Sequence, residues 1–188
     1  MAGKIVIALV VVVATFFIVV ATRPAEFHIE RSILVGTPPA VAFSQVNDLH
    51  AWAAWSPWEK LDPKMERIYG GPAAGPGSSY AWKSESGKVG QGRMTIETVD
   101  PPARVIVKLE FIKPFAATNT VTFRFEDTTA GTKVTWAMDG RNGFMGQAFS
   151  LLMNMDKTVG GDFERGLVGL KAVAEAAAKS APVPGTAL

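Results

Sequence analysis

Five ionisable side chains in predicted strands are of the types that transfer protons or stabilise charge. They are Tyr80, Glu97, Arg104, Glu110 and Asp139. Proton-transfer chemistry needs such a side chain inside a pocket that shifts its pKa. Polar residues on strands usually face water and pair with residues of the neighbouring strand. The five are therefore candidate catalytic residues, with exposed cross-strand pairing as the alternative.

Metal and thiol chemistry have very few possible donors in this chain. The 188 residues include no cysteine and two histidines, His28 and His50. Disulfides, thiolate nucleophiles, iron–sulfur clusters and thiolate zinc sites are excluded, and two histidines provide little for a histidine-based metal site. The sequence also lacks G-x-S-x-G, P-loop, H-E-x-x-H and EF-hand motifs. We therefore expect no metal and no cofactor.

Three tryptophans lie close together at Trp52, Trp55 and Trp58. A spacing of three places neighbours on one face of a short helix. The group can fasten short helices to a sheet, line the mouth of a cavity, or form an aromatic edge that faces a membrane. The burial preference of large aromatic residues favours the first of these roles.

Aromatic and flexible apolar side chains recur along the predicted strands and C-terminal helices. Methionine is flexible and polarizable, so it suits pockets for varied apolar ligands. The predicted ligand-binding residues are Trp55, Trp58, Tyr80, Trp82, Met94, Ile96, Phe111, Phe123, Trp136, Phe149, Met153 and Phe163. The same residue types build an ordinary core, which is the alternative for each of them.

Composition and charge indicate one folded domain. The chain is 48% hydrophobic, and 19 Lys and Arg against 17 Asp and Glu give a net charge of +2. The aromatic and aliphatic content excludes a disordered chain. Basic residues are spread singly between acidic ones and form no stripe, so no nucleic-acid partner is expected.

Residues 5–21 form an unbroken apolar run in which Thr15 is the single polar residue. As a helix this run spans about 26 Å, which is just enough to cross a bilayer. A cleavable signal peptide is the alternative, but the apolar part of a signal is usually only about 7–15 residues long. We therefore predict a single-pass anchor in residues 1–24 and a location at the cell membrane.

The orientation of this anchor rests on few charges. Lys4 precedes the apolar run and Arg23 and Arg31 follow it, which is nearly a tie under the positive-inside rule. A short charged N-terminus kept in the cytoplasm places the domain on the extracytoplasmic (periplasmic) side, and the cytoplasmic orientation stays open. Pro24 ends the helix, so the folded part begins close to the membrane surface.

The remaining sequence predicts a strand, short helices, six further strands and a long helix. Alternating apolar residues predict the first strand at 26–35, and short helical segments follow up to Ser56 and Pro57. Helical spacing returns at residues 145–155 and 159–179. The other strands are predicted at residues 65–69, 79–83, 90–99, 104–112, 118–126 and 132–139.

Short turns between successive strands require antiparallel pairing. We therefore predict an α+β fold in which a curved antiparallel sheet of about seven strands wraps around the long C-terminal helix. Such an arrangement often leaves an apolar cavity that holds a hydrophobic ligand. The domain is predicted to cover residues 25–179, and residues 180–188 are predicted to be a disordered tail.

Several motifs resemble those of a known superfamily. They lie at residues 55–59, 61–63, 90–96, 111–115, 132–136, 156–157 and 161–167. Together with the order of elements they resemble the SRPBCC superfamily, whose helix-grip fold is shared by START lipid-transfer domains and birch-pollen-allergen-like proteins. More narrowly, the chain looks like the bacterial polyketide cyclase/dehydrase and lipid-transport branch. The resemblance spans about residues 26–178 and implies a helix-grip fold and a hydrophobic ligand, but no catalytic set.

Three functions are compatible with the sequence. The favoured one is a membrane-anchored binding module that holds a lipid or other apolar small molecule between sheet and helix. The second is a cyclase/dehydratase-like enzyme acting on an apolar carbonyl substrate, which requires an ionisable side chain inside the cavity. The third is a structural envelope protein with a filled core and no pocket of ligand size.

Overall fold

The protein begins with an apolar helix that leads directly into the folded part. The structure, a computed structural model, describes residues 2–180 except Lys88 and Leu152. Helix α1 (Ala2–Ala21) is long and apolar enough to span a membrane, and most of its large apolar side chains are exposed. Apart from Ser180, the predicted disordered tail lies outside the described residues.

In the residues that the structure describes, the folded part contains seven strands, three short α-helices, one long α-helix and one 3-10 helix. Its first half is β1 (Glu26–Val35), α2 (Pro39–Asn47), α3 (Trp52–Trp55), the 3-10 helix η1 (Pro57–Lys60), β2 (Glu66–Gly70) and β3 (Ser79–Lys83). Its second half is β4 (Gln91–Asp100), β5 (Arg104–Lys113), β6 (Ala117–Thr128), β7 (Gly131–Arg141), α4 (Phe144–Ser150) and α5 (Met155–Ser180).

All seven strands form one curved antiparallel sheet in the order β1-β7-β6-β5-β4-β3-β2, which confirms the predicted fold class. Strand β1 closes the sheet beside β7, with Glu26 opposite Arg141. The antiparallel order places the start of β1 and the ends of β3, β5 and β7 together at one end of the strands. We call this the anchor end, because α1, the predicted anchor, leads into β1 there.

Helix α5 lies across the concave face of the sheet. Its buried residues Phe163, Leu167, Leu170 and Ala174 recur every three or four positions and form one apolar stripe. The Phe163 ring stacks on Trp136 of β7 with 4.3 Å between ring centroids. The apolar faces of helix and sheet are thus buried against each other, which is the main stabilising term of such a fold.

The helices before α5 differ from the prediction in one respect. Helical spacing predicted a single helix over residues 145–155, but α4 ends at Ser150 and α5 begins at Met155. The break is stabilised by Asn154, whose side-chain oxygen accepts a hydrogen bond from the Lys157 amide at 3.0 Å. Asn is a preferred helix N-cap, so it starts a new helix here and does not continue the old one.

Candidate functional site

A cavity of about 390 Å³ lies between the sheet, η1, α4 and the first turns of α5. This volume falls within the range of small-molecule sites. Most of the lining side chains are apolar or aromatic. They include Phe27, Trp58, Met65, Trp82, Met94, Leu109, Phe111, Met138, Val159 and Phe163.

Strand alternation explains which residues form the cavity floor. One row of paired residues crosses the sheet from Tyr80 through Met94, Leu109, Asn119 and Gly140 to Phe27 of β1, and all of them except Gly140 line the cavity. Side chains in one row share a face of the sheet, because residues directly opposite each other point the same way.

A second row, closer to the anchor end, is formed by Trp82, Gly92, Phe111 and Ala117. Gly92 lies at a register shift of β4, and a Cβ at this position would be 2.3 Å from the Trp82 ring. The missing side chain therefore allows the Trp82 indole to lie over β4 and close this side of the cavity.

The cavity wall contains one polar cluster, formed by Glu59, Tyr80 and Arg67. The Tyr80 hydroxyl donates to Oε1 of Glu59 at 2.5 Å, and Nε of Arg67 donates to Oε2 at 2.7 Å. Glu59 and Tyr80 line the cavity, and the Glu59 side chain is only 8% exposed. Both carboxylate oxygens are thus satisfied by side-chain donors.

The surroundings of this cluster shift the pKa of two of its members. Burial, followed by the hydrogen bond to Glu59, raises the pKa of the Tyr80 hydroxyl far above its usual value. The hydrogen bond to Glu59 raises the pKa of Arg67. Tyr80 therefore stays protonated and acts as a donor.

A hydrogen bond beside η1 holds the β3–β4 connection close to the polar cluster. The Ser84 hydroxyl donates to Oδ2 of Asp62 at 2.5 Å and lowers the pKa of that carboxyl group. Ser84 follows β3, and Asp62 follows η1. This contact links the segment that presents Glu59 to the strand that presents Tyr80.

The cavity opens at the anchor end. Six of its lining residues are exposed, and we call them the mouth: Phe115, Ala116, Arg141, Gly143, Met145 and Phe149. They lie in the β5–β6 turn and in the segment from the end of β7 through α4. The Phe115 and Phe149 rings face each other with 5.8 Å between centroids.

Eight of the twelve predicted ligand-binding residues line the cavity. They are Trp58, Tyr80, Trp82, Met94, Phe111, Trp136, Phe149 and Phe163. Trp55, Ile96 and Phe123 are buried in the core away from the cavity, and Met153 is exposed in the connection between α4 and α5. Periodicity identifies the inward face of an element, but both core and cavity lie on that face.

The three tryptophans fasten helices together and line the cavity, and Trp52 does both. The Trp52 indole donates to the Val46 carbonyl at 2.9 Å and the Trp55 indole to the Gln45 carbonyl at 3.1 Å. These two buried residues therefore fasten α3 to α2. Trp58 contacts Trp136 and Phe163 and lines the cavity.

Of the five candidate catalytic residues, only Tyr80 lines the cavity. Glu97 and Arg104 are exposed. Glu110 pairs with Lys108 at 2.8 Å, and Oδ1 of Asp139 lies within hydrogen-bond distance of Nδ1 of His28, at 2.7 Å. Strand alternation and pairing thus place these four outside the cavity, which is the alternative of exposed cross-strand pairing given above.

The sequence analysis missed several lining residues, among them Phe27, Met65, Leu109 and Met138, and it also missed the charged residue Glu59. Glu59 lies in η1, within residues 55–59, which carry part of the family resemblance. No sequence signal marks Glu59 for burial, since Lys60 and Asp62 follow it closely in an ordinary charged segment. Among the described residues no group of three or more metal-binding side chains occurs.

A curved sheet that grips a long helix over an apolar cavity defines the helix-grip class of proteins. The sequence model of the family described as "Polyketide cyclase / dehydrase and lipid transport" matches residues 26–175. The chain therefore belongs to this family. A search of curated proteins found no match.

Solved structures agree on the fold. The protein of unknown function SA2116 from Staphylococcus aureus has a TM-score of 0.60 at 11% identity, with 82% of this chain and 97% of that chain covered. The di-domain ARO/CYC StfQ of the steffimycin biosynthetic pathway has a TM-score of 0.62 at 11% identity, covering 82% of this chain and 52% of that one. The Aha1 dimer from Colwellia psychrerythraea has a TM-score of 0.55 at 12% identity, covering 79% and 96%.

Proposed function

We propose that the protein is a membrane-anchored binding module that holds a hydrophobic small molecule or lipid in the cavity beneath α5. The observation that carries this proposal is the cavity itself: about 390 Å³, walled mainly by apolar side chains and open at one end. Burial of an apolar ligand there gains roughly 25 cal/mol per Å² of apolar surface removed from water. The family description, which includes lipid transport, supports the same ligand class.

The Glu59–Tyr80 cluster gives this mainly apolar cavity a buried polar position, and the other polar side chains among its described lining residues are Ser56, Asn119, Arg141, Asn142 and Asp162. A ligand with a polar group on an otherwise apolar body matches such a lining, because its polar group can reach Glu59 while the rest contacts apolar walls. A hydroxyl group on the ligand could donate to the Glu59 carboxylate alongside Tyr80. We therefore propose an amphiphilic lipid-like ligand.

The apolar helix α1 supports tethering of the binding domain to a membrane as a single-pass protein. The position of Lys4 ahead of the apolar run favours an extracytoplasmic domain. In this proposal the protein captures its ligand close to the membrane surface, and neither a metal nor a nucleic acid takes part.

Native mass spectrometry tests the binding function on the full chain purified in a non-ionic detergent. The wild-type protein is expected to retain an apolar adduct after the micelle has been stripped. The L109W variant is expected to lose it, since Leu109 lies on the cavity floor and tryptophan fills the space. The matched control is I106W, because Ile106 lies on the opposite face of the same strand.

This pair of variants separates a ligand in the cavity from lipid attached to α1. Neither substitution affects lipid attached to α1, so L109W and I106W would carry the same amount of such lipid. Absence of an adduct from the wild type, or equal adducts in wild type and L109W, would contradict the binding function.

A cyclase/dehydratase-like enzyme is the second candidate, and the hydroxyl–carboxylate contact of Tyr80 and Glu59 at 2.5 Å favours it. Such a pair at a cavity wall can hold or deliver a proton. An enzyme of this kind predicts that the Y80F variant retains an unconverted ligand whose mass differs from that of the wild-type adduct by one water. Identical adduct masses would count against it.

A filled structural domain is the third function compatible with the sequence. It requires a core without space of ligand size, and the cavity described above does not fit that requirement.

A further inference from the structure

We infer that the mouth of the cavity rests on the lipid bilayer, so that apolar ligands pass between membrane and cavity without crossing water. This inference depends on the proposed function for its ligand, but the position of the mouth can be tested without any ligand. Its occupant is the surface of the bilayer that α1 enters.

The exposed apolar side chains are concentrated around the mouth. Outside α1, ten large apolar residues are exposed among the described residues, and six of them lie at the end of β5, in the β5–β6 turn, on α4 or just after it. These six are Ile112, Phe115, Phe144, Met145, Phe149 and Met153. A contiguous apolar patch of this kind marks an interaction site, whereas singly scattered apolar residues do not.

Direct contacts join α1 to this patch. The Phe17 ring of α1 stacks on Phe144 of α4 with 5.3 Å between centroids, and Val20 is fully buried. The side-chain amide of Gln147 donates to the Arg23 carbonyl at 2.7 Å. The α1 helix therefore contacts the helix that forms one side of the mouth.

The length of α1 fixes the depth of that contact. Its apolar run over residues 5–21 spans about 26 Å, slightly less than the hydrocarbon core of about 30 Å, so the whole run is needed to cross it. Phe17 lies one turn before the last residue of α1, which places it inside the bilayer. Phe144 lies at the same depth because the two rings are stacked, and α4 therefore lies in the membrane interface.

The charged residues at this end fit the same orientation. Arg23 follows α1, and Lys113 and Arg141 are the last residues of β5 and β7, all three next to the apolar patch. Long basic side chains that flank an apolar surface reach the phosphate groups of lipids while their stems stay in the apolar region.

The opposite end of the sheet has a different surface. The turns between β1 and α2, β4 and β5, and β6 and β7 contain none of the large exposed apolar residues described above. Strand β6 has 12 residues, so at about 3.3 Å per residue Thr129 lies about 40 Å from the mouth. The two ends of the sheet thus provide one labelling position at the mouth and one remote position for comparison.

Depth labelling of the full chain tests this inference directly. The protein contains no cysteine, so the variants F149C and T129C each carry one labelling site for an environment-sensitive fluorophore. In vesicles of phosphatidylcholine that contain doxyl-labelled lipid, the label at 149 is expected to be quenched severalfold more than the label at 129. Equal, weak quenching at both positions would overturn the inference.

A transfer assay tests the route of the ligand. The double variant F115D/F149D is expected to take up pyrene-labelled fatty acid from phosphatidylcholine vesicles about tenfold more slowly, because its mouth loses apolar contact with the bilayer. The same variant should still bind the probe when cyclodextrin delivers it in solution. Unchanged uptake from vesicles would overturn the route.

These measurements distinguish failure of the inference from failure of the proposed function. Quenching at position 149 without any apolar adduct would refute ligand binding and leave the membrane-facing mouth in place. An apolar adduct without quenching at position 149 would support ligand binding and refute the membrane-facing mouth.

Discussion

Glu59 determines the polarity of the cavity, because it accepts hydrogen bonds from both Tyr80 and Arg67. A carboxylate that is almost fully buried is stable only while such donors surround it. The segment Trp58–Glu59 therefore combines an apolar wall and a charged acceptor in two adjacent residues.

The E59Q variant should be destabilised by about 1–3 kcal/mol, since the neutral amide cannot accept from both donors and leaves Arg67 without its counterion. Urea unfolding of the full chain in detergent measures this change. The matched control is E110Q, which removes a partly exposed pair with Lys108 outside the cavity and should change stability little. Equal effects of the two substitutions would contradict the structural role of Glu59.

The two tyrosines of the chain should resist ionisation at alkaline pH. Burial is the main cause that raises the pKa of both Tyr69 and Tyr80, and Glu59 raises both further. A raised pKa in the folded state gives stability that is present below the usual value of about 10 and is lost above it.

Phenolate absorbance followed against pH tests this prediction. Both tyrosines should ionise at higher pH in the folded protein than in denaturant, where they titrate near the usual value of about 10. Identical phenolate titrations of the folded and the denatured chain would contradict the burial of the two rings.

Single residues were only partly predictable from the sequence. Tyr80 was predicted for the cavity because an aromatic side chain with a polar group in a strand suits such a site. Glu59 was missed, because its partner Arg67 lies on another element, and this pairing follows from tertiary structure alone.

At the scale of elements, two glycines allow α5 to approach β7 and α3 closely. A Cβ at Gly166 would be 2.6 Å from the Trp136 ring, and one at Gly169 would be 2.7 Å from the Trp55 carbonyl oxygen. At these two positions α5 therefore has no room for a side chain, although Phe163 one turn earlier stacks on Trp136.

The G166A variant should be destabilised by about 1–3 kcal/mol, because overpacking against Trp136 outweighs the better helix propensity of alanine. The matched control on the same helix is G161A, where the nearest atom belongs to the flexible Arg165 side chain at 3.6 Å. That variant should be unchanged or stabilised by up to about 1 kcal/mol. Thermal unfolding measures both, and a stabilised G166A would contradict the packing of α5.

Arg31 connects β1 to the start of α5 through Asp156 and Glu164. The hydrogen bond from Arg31 lowers the pKa of Asp156, so this carboxyl contributes stability above its unfolded value, which is lost as pH falls through the lower folded value. Stability of the wild type should therefore decrease below about pH 4. The D156N variant should show a smaller decrease between neutral and acidic pH, and an equal decrease would contradict this link.

Elements were more predictable than residues. Period-2 alternation predicted the positions of all seven strands, because each has one buried face and turn residues at its ends. The single helix predicted over residues 145–155 was wrong, since the stabilising cap at Asn154 starts α5 and separates it from α4. Helical periodicity continues across such a break, so periodicity alone cannot show where one helix ends and the next begins.

At the scale of the whole molecule, the sheet, α5 and α1 together determine where the cavity lies and where it opens. The sequence predicted that the sheet packs around α5, because the sheet and the helix each have one apolar face. It could not separate core from cavity: Trp55 and Phe123 fill the space under α3, while Met94 and Leu109 of the same sheet face the open space.

The central claim is that an apolar ligand occupies the cavity beneath α5. Photo-crosslinking with a diazirine-bearing palmitic acid, applied to the full chain in phosphatidylcholine nanodiscs and followed by peptide mass spectrometry, tests it most directly. The claim predicts labelled peptides from β4 and β5 around Met94 and Leu109, with labelling lost in L109W and retained in I106W. Labelling confined to α1 and the mouth, with none on the cavity floor, would contradict it.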